Sequence, residues 1–229
     1  MSTPPATPRP AATVMIVRSG SKHSAAGLEL LMLRRGAEAR FMPGVWVFAG
    51  GVVDPEDFAR AAAEPELAGP APVETEELAH RIGASREASE EAGLTIDPAG
   101  IVPWSRWITP EAVPIRFDTR FYIARAPGHA RPQADGVEMD AACWIEAQAA
   151  IAGHGDGSFP LSFPTIRHLE GLIEFGSVDE LFAAASTRRV EPVLPTLSGD
   201  LKSFTVTVPG DGEYQAGSPG LEDAPELGE

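Results

Sequence analysis

Apolar residues cluster in short runs rather than long stripes over the first fifty positions. Residues 13–18 (Thr-Val-Met-Ile-Val-Arg) and 28–33 (Leu-Glu-Leu-Leu-Met-Leu) are mostly β-branched or apolar, the pattern of strands buried on both faces. The polar stretch between them reads as a turn, so the two predict an antiparallel hairpin ending at Arg34 and Arg35. Residues 45–48 (Val-Trp-Val-Phe) form a third short run that meets the pair Gly50-Gly51. Glycines at a strand end allow unusual backbone angles and close approach by another group.

Helical spacing begins later. Residues 74–92 open with acids, which suit a helix N-terminus, and carry Leu78 and Ile82 on one stripe. Gly93 is placed to end this helix as its C′ residue. Further strands are expected over 101–107, 120–124, 141–145 and 203–208. Further helices are expected over 146–152, 165–175, where Ile166, Leu169, Leu172 and Ile173 share a face and Thr165 is a candidate cap, and 178–185. Between the glycine pair and the long helix, prolines at 65, 70 and 72 prevent continuous helix, so residues 57–75 read as a surface insertion. Residues 1–11 read as a disordered lead. Residues 12–195 form the domain, and 196–229 an extension with a late strand and a disordered tail. The last 19 residues hold six acids and no base.

Composition narrows the function classes. The chain has 229 residues, 43% of them hydrophobic, enough for a sizeable core. Its formal net charge is −15, which repels a nucleic-acid polyanion over most of the surface. No run is long enough to span a bilayer and the first residues lack a signal-peptide core, so the expectation is a cytoplasmic protein with no membrane partner. The single cysteine, Cys143, sits in an apolar run next to Trp144 and reads as an inert thiol.

The candidate chemistry lies on the long helix. Arg86, Glu87, Glu90 and Glu91 put three carboxylates within five residues. At about 100° per residue, Glu87 and Glu91 lie about 40° apart and Glu90 about 60° to the other side of Glu87. Such crowding destabilises a bare helix by a few tenths of a kcal/mol per pair. Two readings account for it: a solvated acidic face bridged by Arg86, or a site for a hard divalent cation.

Read with its flanks, the stretch Arg86-Glu87-x-x-Glu90-Glu91-x-Gly93-Leu94 resembles the second half of the Nudix box, G-x5-E-x7-R-E-U-x-E-E-x-G-U. Gly51 resembles its opening glycine. The glutamate six residues on is Asp57 here, and the seven-residue spacer becomes 28 residues, 58–85. This split box, with Leu33-Arg34-Arg35, Phe41-Met42-Pro43-Gly44 and Phe48-Ala49-Gly50-Gly51-Val52-Val53-Asp54, resembles the subfamily related to peroxisomal coenzyme A diphosphatases.

The resemblance implies an α/β/α sandwich with a mixed central sheet and a loop–helix–loop box. It implies a pyrophosphohydrolase that uses Mg²⁺ or Mn²⁺ held by Glu87, Glu90, Glu91 and the main chain of Gly50 or Gly51, with Arg86 orienting the carboxylates. Glu90 or Glu138 would serve as general base. Arg34, Arg35 and Arg40 are candidate phosphate contacts, and Phe41, Trp104 and Trp107 candidate base-stacking residues, although an aromatic beside strands is more often core. The implied substrate is a small nucleoside diphosphate derivative, coenzyme A or acyl-coenzyme A first. ADP-ribose, dinucleoside polyphosphates and an inactive nucleotide-sensing module are the alternatives. A homodimer is expected by analogy with the family.

Overall fold

The computed structural model of the chain describes residues 4–20, 27–39, 42–128, 130–200 and 203–216. The expected hairpin forms from β1 (Arg9–Ser19) and β2 (Leu28–Arg35), paired antiparallel over Val17–Ser19 and Leu28–Leu30. Beyond that point the two strands part. A strand broken at Phe48 fills the gap: β3 (Trp46–Val47) pairs with β2, and β4 (Ala49–Val52) pairs with β1.

The chain then forms α1 (Pro55–Ala63), a 3₁₀ turn over Pro65–Ala68, and the long helix α2 (Thr75–Ala92). β5 (Val102–Ile108), β6 (Phe117–Arg125) and β7 (Met139–Ile145) complete most of the sheet. Three helices follow: α3 (Ala147–Asp156), α4 (Phe163–Leu172) and α5 (Val178–Thr187). After the short β8 (Pro192–Val193), strands β9 (Thr196–Asp200), β10 (Ser203–Val208) and β11 (Gly212–Ala216) make a separate antiparallel sheet.

The main sheet runs β3-β2-β1-β6-β5-β8, with β4 against β1 and β7 against β2. It is mixed, because β1 and β6 are parallel while the β1–β2, β5–β6 and β2–β7 pairs are antiparallel. Side chains alternate between two separate cores, as a strand period of two requires. Val14, Ile16, Leu31, Leu33, Tyr122 and Ala124 face α2; Met15, Val17, Leu30, Met32, Phe121 and Ile123 face α4 and α5. The architecture is the expected α/β/α sandwich with a mixed sheet.

α2 lies close to the sheet because its inward face is small. Ala79, Ala84, Ala88 and Ala92 are buried beside Leu78 and Ile82. Gly93 ends the helix in the left-handed region (φ 65°), and the amides of Gly93 and Leu94 donate to Ser89 and Ala88.

Several expectations are corrected. The lead is not disordered up to residue 11: β1 begins at Arg9, in parallel register with Phe117. The buried Arg116 guanidinium explains this, since it donates to the carbonyls of Ala6 and Thr109 and ties the lead to β6. The N-cap position of α4 is Ser162 rather than Thr165; Thr165 lies inside the helix, and its hydroxyl meets that of Ser162 at 2.8 Å. Residues 212–216, expected in the disordered tail, pair with β10 as β11, and residues 217–229 lie outside the described residues. In the stretch read as a surface insertion, Asp57, Ala61 and Ala68 are buried, and α1 packs along α2.

Candidate active site

Arg86 is the centre of the site. Its Nε and Nη2 meet Oδ1 and Oδ2 of Asp57 at 3.3 and 3.1 Å, a side-on fork that fits a carboxylate. Nη2 also donates to the Val52 carbonyl at 2.9 Å, and Nη1 donates to both Glu87 and Glu90 at 2.9 Å. Asp54 adds a further contact at 3.4 Å. Burial works against this positive charge, but the bonds to Asp57 and the charge of Glu87 outweigh it and raise the guanidinium pKa. One arginine therefore joins the end of β4, the first turn of α1 and two glutamates of α2.

Asp57 owes its place to α1. It sits at the third helical position, accepts the Asp54 amide at 3.0 Å and closes a capping box. Only 4% of it is exposed. The sequence reading gave it no part in the site, although its spacing from Gly51 pointed there. Gly83 of α2 leaves the room: a Cβ there would lie 3.1 Å from Asp57 Oδ2.

The three glutamates part company in space. Glu91 turns inward, is 4% exposed, and accepts the Gly50 amide at 2.9 Å. Burial pushes its carboxyl up to about 8; the Gly50 bond opposes this, Glu87 and Glu138 add to it, and the Arg35 charge opposes it. Glu87 is also raised, by burial first, against the charge and hydrogen bond of Arg86, with Glu90 and Glu138 pushing it higher. Glu90 points outward, its side chain 57% exposed. Helix geometry explains the split, since adjacent residues differ by about 100°. Accordingly, among the described residues no group of three or more His, Cys, Asp or Glu side chains is arranged to hold a metal ion.

The two glycines play different parts. Gly50 pairs with Thr13 in the ladder, and a Cβ on it would meet the main chain of Ala12 and Thr13 at 2.6 and 2.7 Å. Gly51 faces α2, where a Cβ would lie 2.4 Å from Glu87 Oε1. Gly50 thus serves the sheet and the Glu91 bond, and Gly51 leaves space for a carboxylate.

Of the other candidates, Glu138 and Arg35 are near enough to shift Glu91, and Glu138 shifts Glu87 as well. Arg34 is not brought to the carboxylates. It pairs with Asp140 at 2.6 Å and lies over the Trp46 ring, whose side chain packs in the opposite core. Arg40 and Phe41 lie outside the described residues. Trp104 is buried and Trp107 packs on Phe163 and His168, both in the core away from α2. Burial pushes the Cys143 thiol up to about 11, in keeping with an inert group.

No protein-family model matches the chain. Individual proteins do. A putative nudix hydrolase 7 of Caenorhabditis elegans is 27% identical over 208 positions, covering 81% of this chain and 69% of the relative. The acyl-coenzyme A diphosphatase NUDT19 of Homo sapiens is 25% identical over 307 aligned positions, covering 96% of this chain and 78% of the relative. A solved Nudix hydrolase structure from Alicyclobacillus acidocaldarius has a TM-score of 0.67 at 26% identity, over 81% of this chain and 99% of that one. With the stretch 86–94 on α2, the chain is similar in sequence and in fold to Nudix hydrolases.

Proposed function

We propose that this enzyme hydrolyses the phosphoanhydride bond of a nucleoside diphosphate derivative with Mg²⁺ or Mn²⁺, and that coenzyme A or an acyl-coenzyme A is the foremost substrate. The observation that carries the reading is Glu91, a buried carboxylate on a single amide, with Glu87 and Glu138 close enough to push its pKa up. Such a site favours a proton or a cation, and an all-oxygen donor set suits a hard divalent ion.

In this reading Glu91 and Glu87 supply the inner oxygens and the Gly51 main chain a further one. Glu90 completes the set from the exposed side. Its present bond is an exposed i,i+4 pair with Arg86, worth about 0–1 kcal/mol, so little opposes its turning. A bound divalent ion would supply polarisation of the phosphoryl oxygens and a more acidic water. Arg86, held by Asp57 and Val52, keeps Glu87 oriented without touching substrate. Glu138, or else Glu90, accepts the proton of the attacking water. Water adds across the P–O–P bridge and two phosphate monoesters leave. Arg35, whose positive charge favours the ionised form of Glu91, is the arginine best placed to face the phosphates. Arg34, which pairs with Asp140, is a weaker candidate, and Arg40, outside the described residues, is retained from the sequence alone.

The named activity of the human relative supports a coenzyme A species. The test is a substrate panel with Mg²⁺ and with Mn²⁺: coenzyme A, an acyl-coenzyme A, ADP-ribose, NADH and a dinucleoside polyphosphate. Release of 3′,5′-ADP with the phosphopantetheine half is the expected result. Preference for ADP-ribose or a dinucleoside polyphosphate overturns the substrate assignment, and no cleavage of any member leaves the nucleotide-sensing alternative.

A further inference from the structure

We infer that Asp135 is a positioning residue that fixes the turn carrying Glu138 opposite the box helix; the inference rests on the reading of Glu138 as the proton acceptor. Asp135 Oδ1 accepts the amides of Val137, Glu138 and Met139 at 3.0, 3.1 and 2.8 Å. Its Oδ2 accepts the Glu138 amide as well, at 3.3 Å. Gly136 turns the chain in the left-handed region (φ 73°) and donates to the Met139 carbonyl at 2.9 Å.

On the far side, the Gly36 amide donates to the Glu138 carbonyl at 2.8 Å, which joins the turn to the end of β2. Both backbone groups of Glu138 are therefore held. Apolar packing does not do this work, because Val137 is exposed and the first buried residue of the turn is Met139. The Asp135 carboxylate is what stands between this turn and a range of loop conformations that would carry Glu138 away from Glu87 and Glu91. Displacement of a catalytic group by about 1 Å can cost roughly 10²-fold in rate.

The test is a double-mutant cycle on kcat and KM with the full chain and Mg²⁺. Glu138→Gln is expected to lower kcat about 10²-fold or more. Asp135→Ala is expected to lower kcat about tenfold or more with KM within about twofold, while Asp135→Asn, which keeps the accepting oxygen, restores most of the rate. The double variant Asp135→Ala/Glu138→Gln is expected to be no slower than Glu138→Gln alone. If Glu138→Gln is impaired and Asp135→Ala turns over like the parent, or if the two losses multiply, the positioning role is wrong. If Glu138→Gln keeps full kcat, the proton-acceptor reading itself fails and takes the inference with it. Should Asp135→Ala not fold, Gly136→Ala strains the same turn with open space around its Cβ and is expected to give the same non-additive loss.

Discussion

The carboxylate of Asp57 and the guanidinium of Arg86 are 29 positions apart in sequence and joined side-on, at 3.3 and 3.1 Å. The pair closes the interruption of the split box. Whatever lies between, α1 must return Asp57 to α2 for Arg86 to point at Glu87 and Glu90. Asp57→Ala leaves a partly buried guanidinium without its main partner and is expected to cost about 2–4 kcal/mol in chemical denaturation, together with a fall in kcat. Asp57→Asn, which keeps the shape, is expected to cost less. An alanine variant within about 0.5 kcal/mol of the parent would show that the fork does not hold the site.

Gly50 and Gly51 predict opposite phenotypes. A methyl on Gly50 meets main chain, which cannot yield, so Gly50→Ala is expected to unfold or strongly destabilise the protein. A methyl on Gly51 meets the end of the Glu87 side chain, which can swing aside. Gly51→Ala is expected to keep a Tm near the parent and to lose activity by about 10²-fold. Equal activity in Gly51→Ala and parent would remove Glu87 from the chemistry.

Glu91→Gln and Glu87→Gln should separate stability from function. Each removes a carboxylate whose charge is disfavoured by burial, so the Tm of the metal-free protein is expected to stay level or rise. Turnover is expected to fall at least 10²-fold. Two active variants would sink the carboxylate assignment.

The same burial fixes a pH dependence. In the folded, metal-free protein the Glu91 carboxyl is pushed up to about 8, against about 4.3 in the unfolded chain. Between these values the folded state binds the extra proton, so this contribution to stability is full below the unfolded value and is lost as pH rises through about 8. Glu87 acts in the same direction. Urea titrations without metal are therefore expected to show stability falling from pH 5 to pH 9, and Glu91→Gln is expected to flatten the slope. Added Mg²⁺ or Mn²⁺ is expected to stabilise more at pH 9 than at pH 6, because fewer protons compete. A metal-free stability that rises over this range contradicts the buried-carboxylate account.

The sequence by itself determined most of the strands and the long helix that carries the candidate carboxylates. Short apolar runs and a helix closed by Gly93 are local patterns, legible without the fold. Local pattern also placed Arg86, Glu87 and Glu91 on one helix. It did not reveal that Glu91 would be buried on the Gly50 amide while Glu90 faces solvent, because helix phase gives relative angles and not the direction of the sheet. Nor did it separate Arg35 from Arg34, neighbours whose charges reach different partners, Glu91 and Asp140. Asp57 was legible only as the counterpart of the box glutamate, and Asp135 was not legible as a site residue. Asp57 meets Arg86, 29 positions away, only through packing; Asp135 accepts amides two to four positions on, and packing decides only that this turn meets the end of β2. The split box is the extreme case: its two halves are strangers in sequence, and the fold makes them one site because α1 lies along α2 and hands Asp57 to Arg86.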